Sequence, residues 1–375
     1  MLEFIFPTHG TCVNKYDGVL HDGGVVVCVK IAAGKTDTVT INGQKATVEN
    51  GCHTASLLFD GYRNDVCAKN ETTGEEQTIA VYFLPNAADK YRISVDDNIL
   101  FLQDLNENKD VYKSIFDNPY LAVYKKAHDT FGAKVHMNLF YEYNADAMVN
   151  FSAHKKYFNL SMMTDRFKDE FTANADWLRF SMHSHAEFPP NPYANETRET
   201  IDTHIREIHR EIRRFAGDAC LSNVCTTHFG SGNREVVSTL RNHGYRALTG
   251  YFTHTDSGDP LVSYYYTADE VSEVCHRDFW RDEKQDITFG RIDTVLNTLN
   301  PDNLIPTLEE IKADSGRRGF LSMLIHEQYF YSDYILYLPF FEDLIMNACR
   351  FAHENGYQPS FIGEACLEEF IPRKS

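Results

Sequence analysis

The stretch LRFSMHSHAEFPPNPY, Leu178 to Tyr193, sets the reading of the whole chain. An alternating apolar run ends abruptly in His183, Ser184, His185, Ala186 and Glu187, and two prolines follow. Alternation with period two predicts a strand over Leu178–His183, and the Pro pair forbids its continuation. Neither packing nor solubility calls for two imidazoles and a carboxylate at the last residues of a buried strand. A metal ion does, because neutral imidazole nitrogen and carboxylate oxygen are its usual protein donors.

The surrounding chain has the same grammar. From residue 91 onward, strands are predicted at Tyr91–Val95, Lys134–Tyr141, Leu178–His183, Val224–His228, Arg246–Tyr251, Phe320–His326 and Pro359–Ile362. Helical stretches lie between them. The clearest carries Ile201, Ile205, Ile208, Ile212 and Phe215 at steps of four and three, a single apolar stripe, with Gly217 placed to end it. His204 and His209 fall outside that stripe and read as solvated. Pro119 suits a helix start, and Gly132, Gly244 and Gly356 each separate a helix from a following strand. Repeated strand–helix–strand alternation implies parallel strands with helices outside. About seven strands over roughly 285 residues suit a (β/α) barrel of seven or eight mostly parallel strands better than an open sheet.

Residues 1–86 differ. The runs VVVCVKI, TVTI, KATV, TASLLF and TIAVYFL are short, β-branched or aromatic, and separated by turns that include Asn42-Gly43 and Asn50-Gly51. They predict a small all-β sandwich, and LPNAADK, Leu84 to Lys90, reads as the linker to a second domain over 91–375. The sandwich segment weakly resembles bacterial immunoglobulin-like modules.

Composition narrows the function. Of 375 residues, 43% are hydrophobic, enough for large cores. The chain carries 54 acidic and 36 basic residues, a formal charge of −18, with no basic stripe; nucleic acid and anionic membranes are therefore not expected partners. No apolar run approaches the ~18–20 residues that cross a bilayer. Nine cysteines without a CxxC, and an N-terminus without a signal-peptide pattern, predict reduced thiols and a cytoplasmic location. Tyrosine-rich loops leave room for a homo-oligomer.

In barrels of this kind, chemistry sits at the carboxyl ends of the strands. The predicted strands end in Asp96-Asp97, Glu142, His183 to Glu187, His228, His326-Glu327 and Glu364. Scattered surface charge would not favour one end in this way. If both extended, Asp96 and Asp97 point to opposite sides, so one can hold a metal while the other takes a proton. A cap for a helix starting near Ile99 is the plainer use of Asp97 or Asn98.

These stretches resemble the motifs of the NodB-homology polysaccharide deacetylases, over roughly residues 91 to 366. ISVDDN resembles the first motif, which implies Asp96 as general base and Asp97 as metal ligand. MHSHAE resembles the second, with His183 and Ser184 matching and Glu187 where a second His is usual; His185 is the alternative ligand. THFGSGNREVVSTLRNHGYRALTGY resembles the third, with His228 in place of an Arg-Pro-Pro loop. FLSMLIHEQ resembles the last, which implies His326 as general acid. The resemblance implies a divalent metal, zinc first among them, and hydrolysis of an N- or O-acetyl group on a carbohydrate. Glu142, His228, Phe229, Tyr193 and Glu327 are then expected to contact the substrate. Two other readings compete: a metal-free glycoside hydrolase using two of Asp96, Asp97, Glu142, Glu187, Glu327 and Glu364, and a non-catalytic sugar-binding protein.

Overall fold

A computed structural model describes residues 2–371. The first part of the chain folds as two five-stranded sheets that share one apolar cluster. Pairing is antiparallel except where Cys12–Val13 lies parallel to the end of Glu76–Phe83. Period two drives it: in Gly24–Ala32, Val25, Val27, Val29 and Ile31 are buried while Cys28 and Lys30 face solvent. Asn42-Gly43 and Asn50-Gly51 close two-residue hairpins with both residues at positive φ, as their residue types predict.

The rest of the chain is mixed α/β. Its strands include β1 (Lys90–Asn98), β2 (Val135–Phe140), β3 (Leu178–Ser184), β4 (Val224–Cys225), β5 (Ala247–Gly250), β6 (Phe279–Asp282), β7 (Ile287–Arg291), β8 (Thr294–Val295) and β9 (Phe320–His326). One sheet has the order β3-β2-β1-β9-β8, all parallel; the other has the order β4-β5-β7-β6, with only β6 antiparallel. A parallel bridge between Phe180 and Leu221 joins them on one side. On the other side the chain runs from β7 straight into β8. The helices Pro119–Phe131, Arg198–Phe215, Arg234–Asn242 and Phe341–Glu354 pack their apolar stripes on these strands. Asn118, Thr197 and Asn233 cap the first three, and Gly132 ends the first at a φ of 69°. No helix among the described residues is long and apolar enough to cross a membrane.

Several expectations change. The run Val224–His228 is a strand only to Cys225, and His228 opens a tight 3₁₀ turn. The expected final strand shrinks to Gln358–Pro359, and Ile362–Cys366 is helical. Glu364 therefore leaves the site: it pairs with Lys134, just ahead of β2, at 2.7 Å, at the opposite end of the strands. β6, β7 and β8 lie outside the expected set; across the last two the apolar run is broken by Gly290 and Asp293. His209 is buried, its Nε2 2.8 Å from the Tyr245 hydroxyl.

The two parts meet along β6, whose outer edge is covered. Arg281 N donates to Gly10 O, and Arg277 forms a fork on Asp17 and a third bond to the Cys12 carbonyl. Covering an edge strand removes a template for aggregation.

Candidate metal centre

Two register breaks build the site. Along β1, Val95 pairs with Met137 and Asn98 with Leu139, so Asp96 and Asp97 together face the single residue Asn138. This is a β-bulge, with Asp97 at a φ of 63°. The strict alternation that would send neighbouring carboxylates to opposite sides is broken here, and both line one cavity. Along β3, Leu139 pairs with Met182 and Phe140 with Ser184, so His183 is the extra residue of a second bulge. The 3₁₀ turn after β4 supplies His228, with Phe229 at a φ of 57° and Gly230 at 53°. A side chain on Gly230 would collide with Val262 at 2.5 Å. Non-glycine residues at positive φ are strained, and such strain gathers at functional sites.

Asp97, His183 and His228 converge, each at most 6% exposed. Asp97 Oδ1 lies 3.0 Å from His183 Nε2 and 3.4 Å from His228 Nδ1, and the two ring nitrogens are 3.1 Å apart. The outer nitrogens fix the tautomers. His183 Nδ1 faces the Thr226 carbonyl at 2.5 Å, and His228 Nε2 faces the Glu187 carbonyl at 3.1 Å. Carbonyls only accept, so both outer nitrogens carry protons. In neutral rings the inner nitrogens then present lone pairs to a carboxylate oxygen. Asp97 Oδ1 is buried with no aligned hydrogen-bond donor. Three lone pairs this close repel unless a positive charge lies between them. Ligand atoms ~2.0–2.1 Å from a tetrahedral ion stand about 3.3 Å apart, close to these three separations.

Electrostatics agree. Burial would push the His183 imidazolium down, but Asp96 and Asp97 outweigh it and raise the group to about 9. Burial opposes ionisation of Asp97, yet His326, His183 and His228 hold it well below the usual carboxylate range. Burial lowers His228. Without a metal, the positive charge in the triangle is thus a proton on His183.

Around this centre, Asp96 Oδ1 accepts from Asn138 Nδ2 at 2.6 Å. Asn138 cannot flip, because its oxygen accepts from Thr226 N and the Ser181 hydroxyl. His326 stands level with Asp96 across β1 and β9, and its Nδ1 is 2.8 Å from Asn297 Oδ1. If Nδ1 donates to that amide oxygen, Nε2 is left free, 4.0 Å from Asp97 Oδ2. Arg92, on the same face of β1 as Asp96, is buried and bonds Ser322 and Thr249; burial lowers it to about 10 against the pull of Asp96.

The other expected residues divide. Glu187 reaches the centre as a neighbour: its Oε1 is 3.8 Å from His228 Nε2, and Gln328 Nε2 donates to its Oε2. Burial, with the nearby Asp97 charge, raises it to about 8. His185 stacks on Tyr141 and lies between Glu142 and Glu207, outside the convergent group. His228, expected on the substrate, stands instead with Asp97 and His183 in the convergent group. Phe229 is 46% exposed at the cavity wall. Glu142 bonds the Tyr157 hydroxyl and lines a second cavity beside Asp97. Two expected substrate contacts are structural. Tyr193 is fully buried, its hydroxyl bonded to His185 N and His204. Glu327 is fully buried and accepts from the backbone N–H groups of Ile99, Leu100 and Phe101. It caps the helix Leu100–Glu107, the role open to Asp97 or Asn98 by sequence. Sequence reading missed Asn138 and Asn297; Asn138 had one signal, an amide inside the otherwise apolar run MNLF.

No protein-family model matches the chain, and no curated protein matches it.

Proposed function

We propose that the chain is a metal-dependent hydrolase that removes an N- or O-acyl group from a carbohydrate, with Asp97, His183 and His228 holding the ion. One observation carries this reading: three buried lone-pair donors face one another at 3.0 to 3.4 Å, with their tautomers fixed from outside. On the same reading, the two joined parallel sheets form a closed barrel, with an immunoglobulin-like module docked on β6. One carboxylate and two imidazoles suit zinc, and a divalent ion held there would supply a Lewis acid to a carbonyl and lower the pKa of a water.

The remaining groups fit hydrolysis. Asp96, oriented by Asn138, stands beside the centre as the proton acceptor. His326, oriented by Asn297, is placed to protonate a leaving amine or alcohol. Tyr251, Tyr329 and Tyr334 line the same cavity and offer faces and hydroxyls to a sugar. The motif resemblance supports the same roles for Asp96, Asp97, His183 and His326.

The test is zinc content with and without chelator, paired with release of acid from acylated sugars. Stoichiometric metal and metal-dependent release are expected. Cleavage of a glycosidic bond by metal-free protein would favour the paired-carboxylate reading.

A further inference from the structure

Two cavities meet at the centre, and they differ in character. The first, with His326 and the three tyrosines, is polar and aromatic. The second is walled chiefly by Ile99, Leu100, Phe140, Met148 and Phe188, with Glu142 and Asn144 toward its mouth. Its cavity volume is about 60 Å³, room for several waters, and it opens to solvent at the mouth. Asp97, Glu187 and Gln328 border both, so one substrate can lie across the centre.

Resting on the hydrolase reading above, we infer that the second cavity receives the alkyl tail of an acyl group longer than acetyl. The assignment of sides follows from the proton donor. Hydrolysis breaks the bond between carbonyl carbon and leaving atom; water supplies the hydroxyl to the carbonyl carbon, and the leaving nitrogen or oxygen takes a proton. His326 borders only the polar cavity, so the sugar departs on that side. The carbonyl's other substituent, the alkyl chain, must then point away from His326, toward the apolar wall. An acetyl methyl would occupy little more than the ~30 Å³ share of one water and leave most of that wall uncovered.

A second observation extends the path outward. Phe188 packs on Phe151 with ring centroids 5.7 Å apart, and the Phe151 carbonyl accepts from Ile335 N. Val149, Phe151 and Ile335 are 58%, 40% and 67% exposed and line a neighbouring shallow cavity together with Lys155 and Asp333. Burying alkyl carbons there releases water from both surfaces, the usual source of affinity for a chain.

The experiment uses the zinc-loaded full chain and glucosamine N-acylated with acetyl, butanoyl or octanoyl groups, reading the free amine. The octanoyl amide should exceed the acetyl amide in kcat/KM by about 10–100-fold. In Ala147→Trp, which places an indole at the chamber mouth on an exposed loop position, that ratio should fall toward one. A preference for acetyl with zinc bound, or a ratio unmoved by Ala147→Trp, overturns the inference and leaves the hydrolase reading intact. Failure to cleave any of the three, with no zinc bound, overturns both.

Discussion

Asp97 and His183 face each other at 3.0 Å in a buried place, and the pH behaviour of the metal-free pair can be predicted. With no metal, His183 titrates at about 9 when folded, against about 6.5 when unfolded. A raised imidazole contributes stability that is fully present below pH ~6.5 and lost as pH rises through about 9. Melting of chelator-treated protein should therefore show this loss, and His183→Gln should remove it. Metal must displace the same proton, so zinc affinity should rise about tenfold per pH unit up to about pH 9 and then level. Asp96→Asn and His326→Gln should keep zinc and lower kcat, each by about 10²–10⁴-fold. Loss of zinc in Asp96→Asn would assign that carboxylate to the metal instead. The sequence alone displayed Asp96, Asp97, His183 and His326 because polar residues ended apolar runs. It set His228 on the substrate and left the further donor to Glu187 or His185, because the approach of His228 to Asp97 and His183 depends on how the turn after β4 folds back.

At the scale of elements, the bulges in β1 and β3 bring the donors together. A bulge belongs to a pair of strands, so neither strand's own pattern reveals it; this is why two adjacent aspartates looked divergent and are not. The helix Leu100–Glu107 begins without its own side-chain cap, and Glu327 supplies one from the end of β9. Glu327→Ala would leave three N–H groups without that acceptor, at about 2–4 kcal/mol of stability. Thermal melting should register this while zinc content per folded chain stays at one. An unchanged melting temperature with lost activity would return Glu327 to a catalytic role. The Ile stripe of Arg198–Phe215 and the Asn-Gly hairpins were legible because local periodicity and turn chemistry fix them. β7 and β8 were not, because a glycine and a buried aspartate interrupt the run.

At the scale of the whole molecule, the two N-terminal sheets and the parallel sheets meet through Arg277, whose side chain and that of Asp17 are 15% and 7% exposed. Removing one partner strands the other, so Asp17→Ala should cost about 3 kcal/mol and speed proteolysis within 84–90. If the two parts melt and digest as in the unaltered chain, that pair does not hold them together. No local pattern foretold this contact, since its partners are 260 residues apart. Long-range placement also gathers Asp97, His183 and His228 from three separate strand ends, and the proposed activity rests on it. Zinc titration calorimetry on metal-stripped protein tests this most directly. One zinc per chain is predicted, with affinity falling by more than about a hundredfold in Asp97→Ala, His183→Ala and His228→Ala alike. Undiminished binding in all three, or no binding by the unaltered chain, would contradict it.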